Sequence, residues 1–271
     1  MKVVSLCPSL TELVFDLGAG DTLVGRTKFC IHPRDRVAAV PSMGGTKNPR
    51  VGRIVELAPD LVLLNEEENR REDAESLEAV GIRCLSSLPR TAEDTAKMVR
   101  DIAAALGTTD AGERIAADIE HRARRVRNAA SDRAPVRYAY LIWRNPWMTV
   151  SDDTFVAAML GLAGGRNVFG AEDDRYPGID ANRVREADPD VVLLSSEPFP
   201  FRNHHADELA AATGLPRERF RLVDGELLSW HGSRTPAGID YANEVIAGAA
   251  PGAGTAQPGT PATPPPPSNP G

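Results

Sequence analysis

The sequence predicts an α/β protein of two Rossmann-like lobes with parallel sheets, joined by one long rigid α-helix. Three observations lead there. Short, wholly apolar runs alternate with amphipathic stretches. One stretch, residues 109–130, keeps helical spacing for about six turns. The first half of the chain also recurs, in outline, in the second.

The apolar runs fall at 3–6, 61–64, 83–85, 138–142, 191–194 and 221–223, with helical patterns at 9–17, 51–57, 72–79 and 91–106 between them. Runs that are apolar throughout suit strands covered on both faces, as in parallel sheets. At the first strand–helix junction, Ser9 is expected as the helix N-cap, with Glu12 completing a capping box. Pro8 fits a helix start, and Cys7 reads as a small residue in a tight turn.

In the long stretch, Ile115, Ile119, Ala123 and Val126 recur on one face, and proline is absent. About 20 helical residues span about 30 Å, which is long for a crossover and suits a strut. Its basic run "HRARRVR" (121–127) reads as a solvated helix face. The division expected is an N-terminal lobe at 1–108, the linking helix at 109–131 and a C-terminal lobe at 132–250. Residues 251–271 hold no charge, aromatic or large aliphatic side chain, so a disordered proline-rich tail is expected there.

The repeat rests on three ordered matches. "APDLVLLNEE" (58–67) pairs with "DPDVVLLSSE" (188–197) at an offset of 130. "SLTELVFDLGAGDTLVG" (9–25) pairs with "TFVAAMLGLAGGRNVFG" (154–170) at 145, and His32-Pro33 pairs with Tyr176-Pro177 at 144. Two duplicated lobes make a cleft lined by equivalent loops.

Bulk properties narrow the function. Hydrophobic content of 42% and charged content of 25% are those of an ordinary globular protein. A net charge of -7 argues against nucleic acid. Three cysteines, an odd number without a CxxC, favour a reducing compartment. Residues from Met1 show no signal peptide, so a cytoplasmic location is expected, with the periplasm or cell surface as the alternative if a leader precedes Met1. No stretch is apolar enough to span a bilayer.

The cleft loops are placed at 5–9, 27–34, 65–70, 143–152, 173–178, 195–201 and 229–236. Aromatics are only 5% of the chain, yet Phe29, Trp143, Trp147, Tyr176, Phe199, Phe201 and Trp230 all fall in these loops. Arg144, Arg175 and Arg234 are interleaved with them. Rings beside guanidinium groups suit a large, flat or anionic ligand, although each arginine could equally pair with a carboxylate at the lobe rim. His32 and His231 complete the ligand-binding set, with His231 able to approach His32 across the cleft. Glu66, Glu67 and Glu68 read as acids stabilising a helix N-terminus.

Together, "VVSLCPSLTELVFDLGAGDTLVG", "PDLVLL", the long helix, "AGGRNVFG" and "SWHGSRTPAGI" resemble the helical-backbone (class III) substrate-binding proteins. That family includes the cobalamin- and iron-siderophore-binding components of ABC importers, and the resemblance covers about residues 1–248. It implies non-catalytic binding of a metal chelate, a cobalt corrinoid or ferric siderophore, between two lobes, which should close little because one continuous helix resists hinging. It implies no cofactor of the protein's own and no catalytic or metal-ligating residue. Such proteins typically dock on an importer permease through one Glu per lobe. The matching positions here are Gly52 and Asn182, which puts that docking in question.

Two alternatives stay open. One is a cytosolic binder without a transporter, either of a chelate or of a bare metal ion held by ligands among Cys7, Cys30, His32, His204, His205, His231, Glu66 and Glu67; no pair has zinc-site spacing. The other is an enzyme using Cys30 and His32 as nucleophile and base. The repeat weighs against a bare-metal centre or a nucleophile at Cys30 and His32, because the partner loop "DDRYPGI" (173–179) has neither Cys nor His.

Overall fold

The structure, a computed structural model, describes residues 1–250. The expected tail therefore lies outside the described residues.

In the first lobe β1 (Val3–Ser5), α1 (Pro8–Asp16), β2 (Leu23–Arg26), α2 (Arg34–Val37), α3 (Val51–Leu57), β3 (Leu61–Asn65), α4 (Arg71–Glu78) and β4 (Cys84–Ser87) follow one another. The four strands form a parallel sheet in the order β2-β1-β3-β4. Successive side chains face opposite sides. Val3, Leu61 and Leu63 pack under α1, while Val4, Val62 and Leu64 join Ile54 of α3 and Leu77 of α4.

The chain then runs through α5 (Ala92–Leu106) and α6 (Thr109–Ala130). Thr91 caps α5 in a reciprocal box with Asp94. The 22 residues of α6 extend about 33 Å. Its approach to α5 depends on Gly112, where an added Cβ would stand 2.2 Å from that of Ala103. Arg100 forks between Glu113 (2.7 Å) and Glu120 (2.6 Å) across the same contact. The basic run does more than face solvent. Arg122 and Arg125 pair with Asp240, and Arg127 pairs with Glu93.

The second lobe holds β5 (Val136–Trp143), β6 (Trp147–Thr149), α7 (Phe155–Leu162), β7 (Gly165–Asn167), β8 (Gly178–Ile179), α8 (Ala181–Ala187), β9 (Val191–Ser195), α9 (Asn203–Thr213), β10 (Phe220–Val223), α10 (Gly225–Ser229) and α11 (Thr235–Ala249). Strands β10, β9, β5 and β7 pair in parallel, but β6 pairs antiparallel with both β5 and β8, so this sheet is mixed. The reversal follows β5 directly. Asn145, with φ of 63°, turns the chain back and sets Trp143 opposite Met148.

The repeat survives in the backbone. Helices α3 and α8 are seven residues each and end on left-handed residues, Ala58 (φ 45°) and Asp188 (φ 40°). Strands β3 and β9, wholly buried, follow in turn. One apolar cluster runs unbroken from Val3 and Leu10, through Ile102 and Ile119, to Tyr138, Leu193 and Ile239. The lobes thus share a core along α5 and α6.

Candidate functional site

The residues just past the strand ends meet at the seam between the lobes, where open α/β sheets place their ligands. Ser9 follows β1, Asn65 ends β3, Glu197 follows β9 and Glu226 follows β10. Each touches the loop that carries Trp230, His231 and Arg234.

His231 is 8% exposed and pins the lobes together. Its Nε2 lies 3.2 Å from Asn65 Nδ2 and 3.4 Å from Ser9 Oγ. Asn65 is oriented by its neighbours: its Oδ1 accepts from the N–H groups of Glu67 and Glu68, and its Nδ2 donates to the Ser87 carbonyl. Nδ2 therefore donates to Nε2, and the imidazole proton sits on Nδ1. Burial lowers the His231 pKa to about 4, so the ring is neutral. It does not reach His32, as the sequence suggested it could, because its Nε2 is occupied from the first lobe and Phe155 lies against its ring (6.1 Å).

His32 instead faces Glu226 (3.3 Å) and meets the Trp230 ring edge-on at 5.6 Å. Trp230 is fixed on three sides: His32 at its edge, the Arg234 guanidinium over its ring at 4.8 Å, and Glu197 Oε2 accepting from its Nε1 at 2.9 Å. Arg234 also crosses the seam to Glu12 (3.0 Å) and holds Glu226 (2.7 Å). The capping box expected at Ser9 and Glu12 is therefore not formed. Cys7 is the N-cap residue, Pro8 opens the helix, and both expected members are drawn into the seam.

Each expected arginine has a carboxylate neighbour. Arg144 binds Glu208 (2.7 Å) and lies over Trp147. Arg175 stands 3.2 Å from Glu67 of the first lobe, 3.8 Å from Asp153, and 6.0 Å from the Tyr176 ring centre. Glu67 thus faces the opposite lobe, contrary to the helix-end role expected for it. The first turn of α4 carries Glu72 and Asp73 instead. Burial raises the Glu67 pKa while Arg175 opposes the rise. Arg90 and Asp153 add a further pair between lobes.

The other aromatics divide into packed and open. Trp147 stacks on Phe201, and Phe199 meets Phe201 at 4.8 Å and Trp143 at 5.8 Å. Phe29 (50% exposed), Ile31 (43%) and Trp143 (40%) are open, with the first two on one lobe and Trp143 on the other. Cys30, by contrast, is 1% exposed, and its sulfur is held by Thr11 and Thr27. Burial pushes its thiol pKa up. It neither reaches a ligand nor suits a nucleophile. Among the described residues no three His, Cys, Asp or Glu side chains stand close enough to hold a metal ion.

Sequence reasoning missed Asn65, Glu197, Glu208 and Glu226. The one signal for Asn65, Glu197 and Glu226 was position, each lying at or near a strand's carboxyl end, while Glu208, inside α9, had none. Two open hollows of about 540 and 520 Å³ lie elsewhere, around Tyr138, Asp152 and Arg166 of the second lobe, and touch none of the expected ligand-binding residues.

The periplasmic binding protein family profile matches residues 3–215. The chain belongs to this family. The vitamin B12-binding protein of Vibrio cholerae (strain O395) is 23% identical over 244 residues, covering 90% of this chain and 87% of that protein. The crystal structure of periplasmic vitamin B12 binding protein BtuF of Vibrio cholerae superposes with a TM-score of 0.79 at 20% identity, over 92% of this chain and 97% of that one. Periplasmic heme-binding protein RhuT from Roseiflexus sp. RS-1 gives 0.78 at 25% identity, over 92% and 98%. These matches bear out the resemblance to helical-backbone substrate-binding proteins and the two-lobed fold. They overturn the cytoplasmic expectation, since the family and both matched structures are periplasmic. The cysteine argument failed because Cys7 and Cys30 are shut inside the core, whatever the compartment.

Proposed function

We propose that the seam holds a flat metal chelate of the tetrapyrrole kind, a corrinoid or haem, as non-catalytic cargo. The observation that carries this reading is the set of exposed apolar side chains at or beyond the strand ends, Phe29 and Ile31 on one lobe and Trp143 on the other, which would form its two walls. Covering a large aromatic side chain is worth about 1.5–3 kcal/mol, enough to hold a macrocycle when several contribute. Trp230, Tyr176 and Phe199 would flank it, while Trp147 supports the wall from behind. Binding by relatives named for vitamin B12 and haem supports the same class.

The chelate would be handed to an ABC importer. Gly52 and Asn182 are both exposed near the starts of α3 and α8, and neither offers a carboxylate, so docking there would use other groups.

The test is quenching of tryptophan fluorescence by cyanocobalamin, haemin and a ferric hydroxamate. At least one tetrapyrrole should bind, and Trp143→Ala should weaken it about tenfold, or about 1.4 kcal/mol. The reading fails if neither tetrapyrrole binds, and shifts to siderophores if only the hydroxamate does.

A further inference from the structure

We propose that Glu67 and Arg175, one from each lobe, grip a carboxamide on the rim of the chelate and so select amide-bearing ligands over those that carry carboxylates. This rests on the seam being the chelate site.

The pair is close but incomplete. Arg175 Nε lies 3.2 Å from Glu67 Oε1, yet Glu67 Oε1, Arg175 Nε and Arg175 Nη2 are all buried without a hydrogen-bond partner. Buried polar atoms left unpaired are costly, and a fold keeps few of them. Here an acceptor and two donors stand side by side across the seam. A primary amide offers the complement, an N–H to donate to the carboxylate and a C=O to accept from the guanidinium. A carboxylate could satisfy Arg175 alone and would set its charge against Glu67 and Asp153.

Lys47 lies beside Glu67, but the two arginines nearer Trp230 and Trp147 are already paired. Arg234 is held by Glu12 and Glu226, and Arg144 by Glu208. Both are occupied by carboxylates, the rim pairing the sequence left open, although Arg144 Nε has no partner. Glu197 adds another carboxyl group beside Trp230, with its pKa raised to about 7 by burial and by Glu226.

The experiment compares one macrocycle with two rims. Affinity is measured at pH 8 for cyanocobalamin and for its acid-hydrolysed carboxylate derivative, in the wild type and in Glu67→Gln. The wild type should prefer the amide form about tenfold or more, because like charges across a site are penalised. In Glu67→Gln the two affinities should fall within about threefold of each other, since the nearer of the two repelling carboxylates is gone while an amide-compatible group remains. Arg175→Lys, which keeps the charge but not the fork, should weaken the amide form. Thermal melts confirm that each variant is folded. An unchanged preference in Glu67→Gln overturns the clamp. So does tight binding of haemin with no binding of cyanocobalamin, although that result leaves the chelate reading standing. If neither tetrapyrrole binds the wild type, both inferences fall.

Discussion

Replacing His231 with glutamine keeps a neutral acceptor facing Asn65 Nδ2 and removes a buried group that can take up a proton. In the folded chain, burial lowers the His231 pKa from 6.5 to about 4. Between those values the unfolded chain binds the proton and the folded chain does not, so stability rises with pH across the window. The contribution is whole above pH 6.5 and is lost as pH falls toward 4. Complete loss corresponds to about 3 kcal/mol, and at pH 4.5 the loss is about 2.5 kcal/mol. For a chain of this size that is about 5–10 °C in melting temperature. Glu197 acts with the opposite sign. Its folded pKa, raised from 4.5 to about 7, gives stability below 4.5 that disappears as pH rises through 7. Both proteins carry Glu197, so its effect cancels in their difference. His231→Gln is expected to start lower at pH 7.5, having lost the contact with Phe155, and then to lose less on acidification than the wild type. Differential scanning calorimetry at pH 7.5 and 4.5 measures this. Equal losses in the two proteins would refute the assignment of a buried, neutral imidazole.

Gly112→Ala should cost about 1–3 kcal/mol in a urea melt, because its Cβ would fall 2.2 Å from that of Ala103 and force α5 and α6 apart. Ala58→Gly should stabilise by about 0.5–1 kcal/mol in the same assay, since residue 58 holds a left-handed φ of 45° at a helix end. The thiols should be inert toward a thiol-specific reagent at pH 8 until the protein unfolds: burial raises the Cys7 pKa to about 12 and that of Cys84 to about 11, and also raises that of Cys30. Rapid labelling of Cys30 in the folded protein would contradict its enclosure by Thr11 and Thr27.

The fold was legible where local chemistry alone decides it. Apolar runs such as 61–64 and 191–194, too short for helices, suit covered strands, and they form β3 and β9. The span of α6 follows from spacing and from the lack of proline. Strand β6 was not legible, because three residues after a turn carry too little pattern, and its pairing with β5 is a tertiary fact. The site was half legible. The aromatics stood out by their rarity, but the carboxylates that hold Arg144, Arg175 and Arg234 lie as far as 222 positions away in the chain, so their pairing could not be read. Ser9 and Glu12 show the limit best. Their spacing satisfied the capping rule, yet His231 and Arg234 claimed both side chains from the other lobe.

The shared apolar cluster along α5 and α6 has a consequence for how the molecule comes apart. Two lobes with separate interiors would melt in two steps, each at its own temperature. Here Leu10, Ile119 and Leu193 belong to one interior, so loosening either half exposes apolar surface in the other. Heating should give a single calorimetric transition whose van't Hoff and calorimetric enthalpies agree. Either half expressed alone should remain unfolded, its share of that interior open to water.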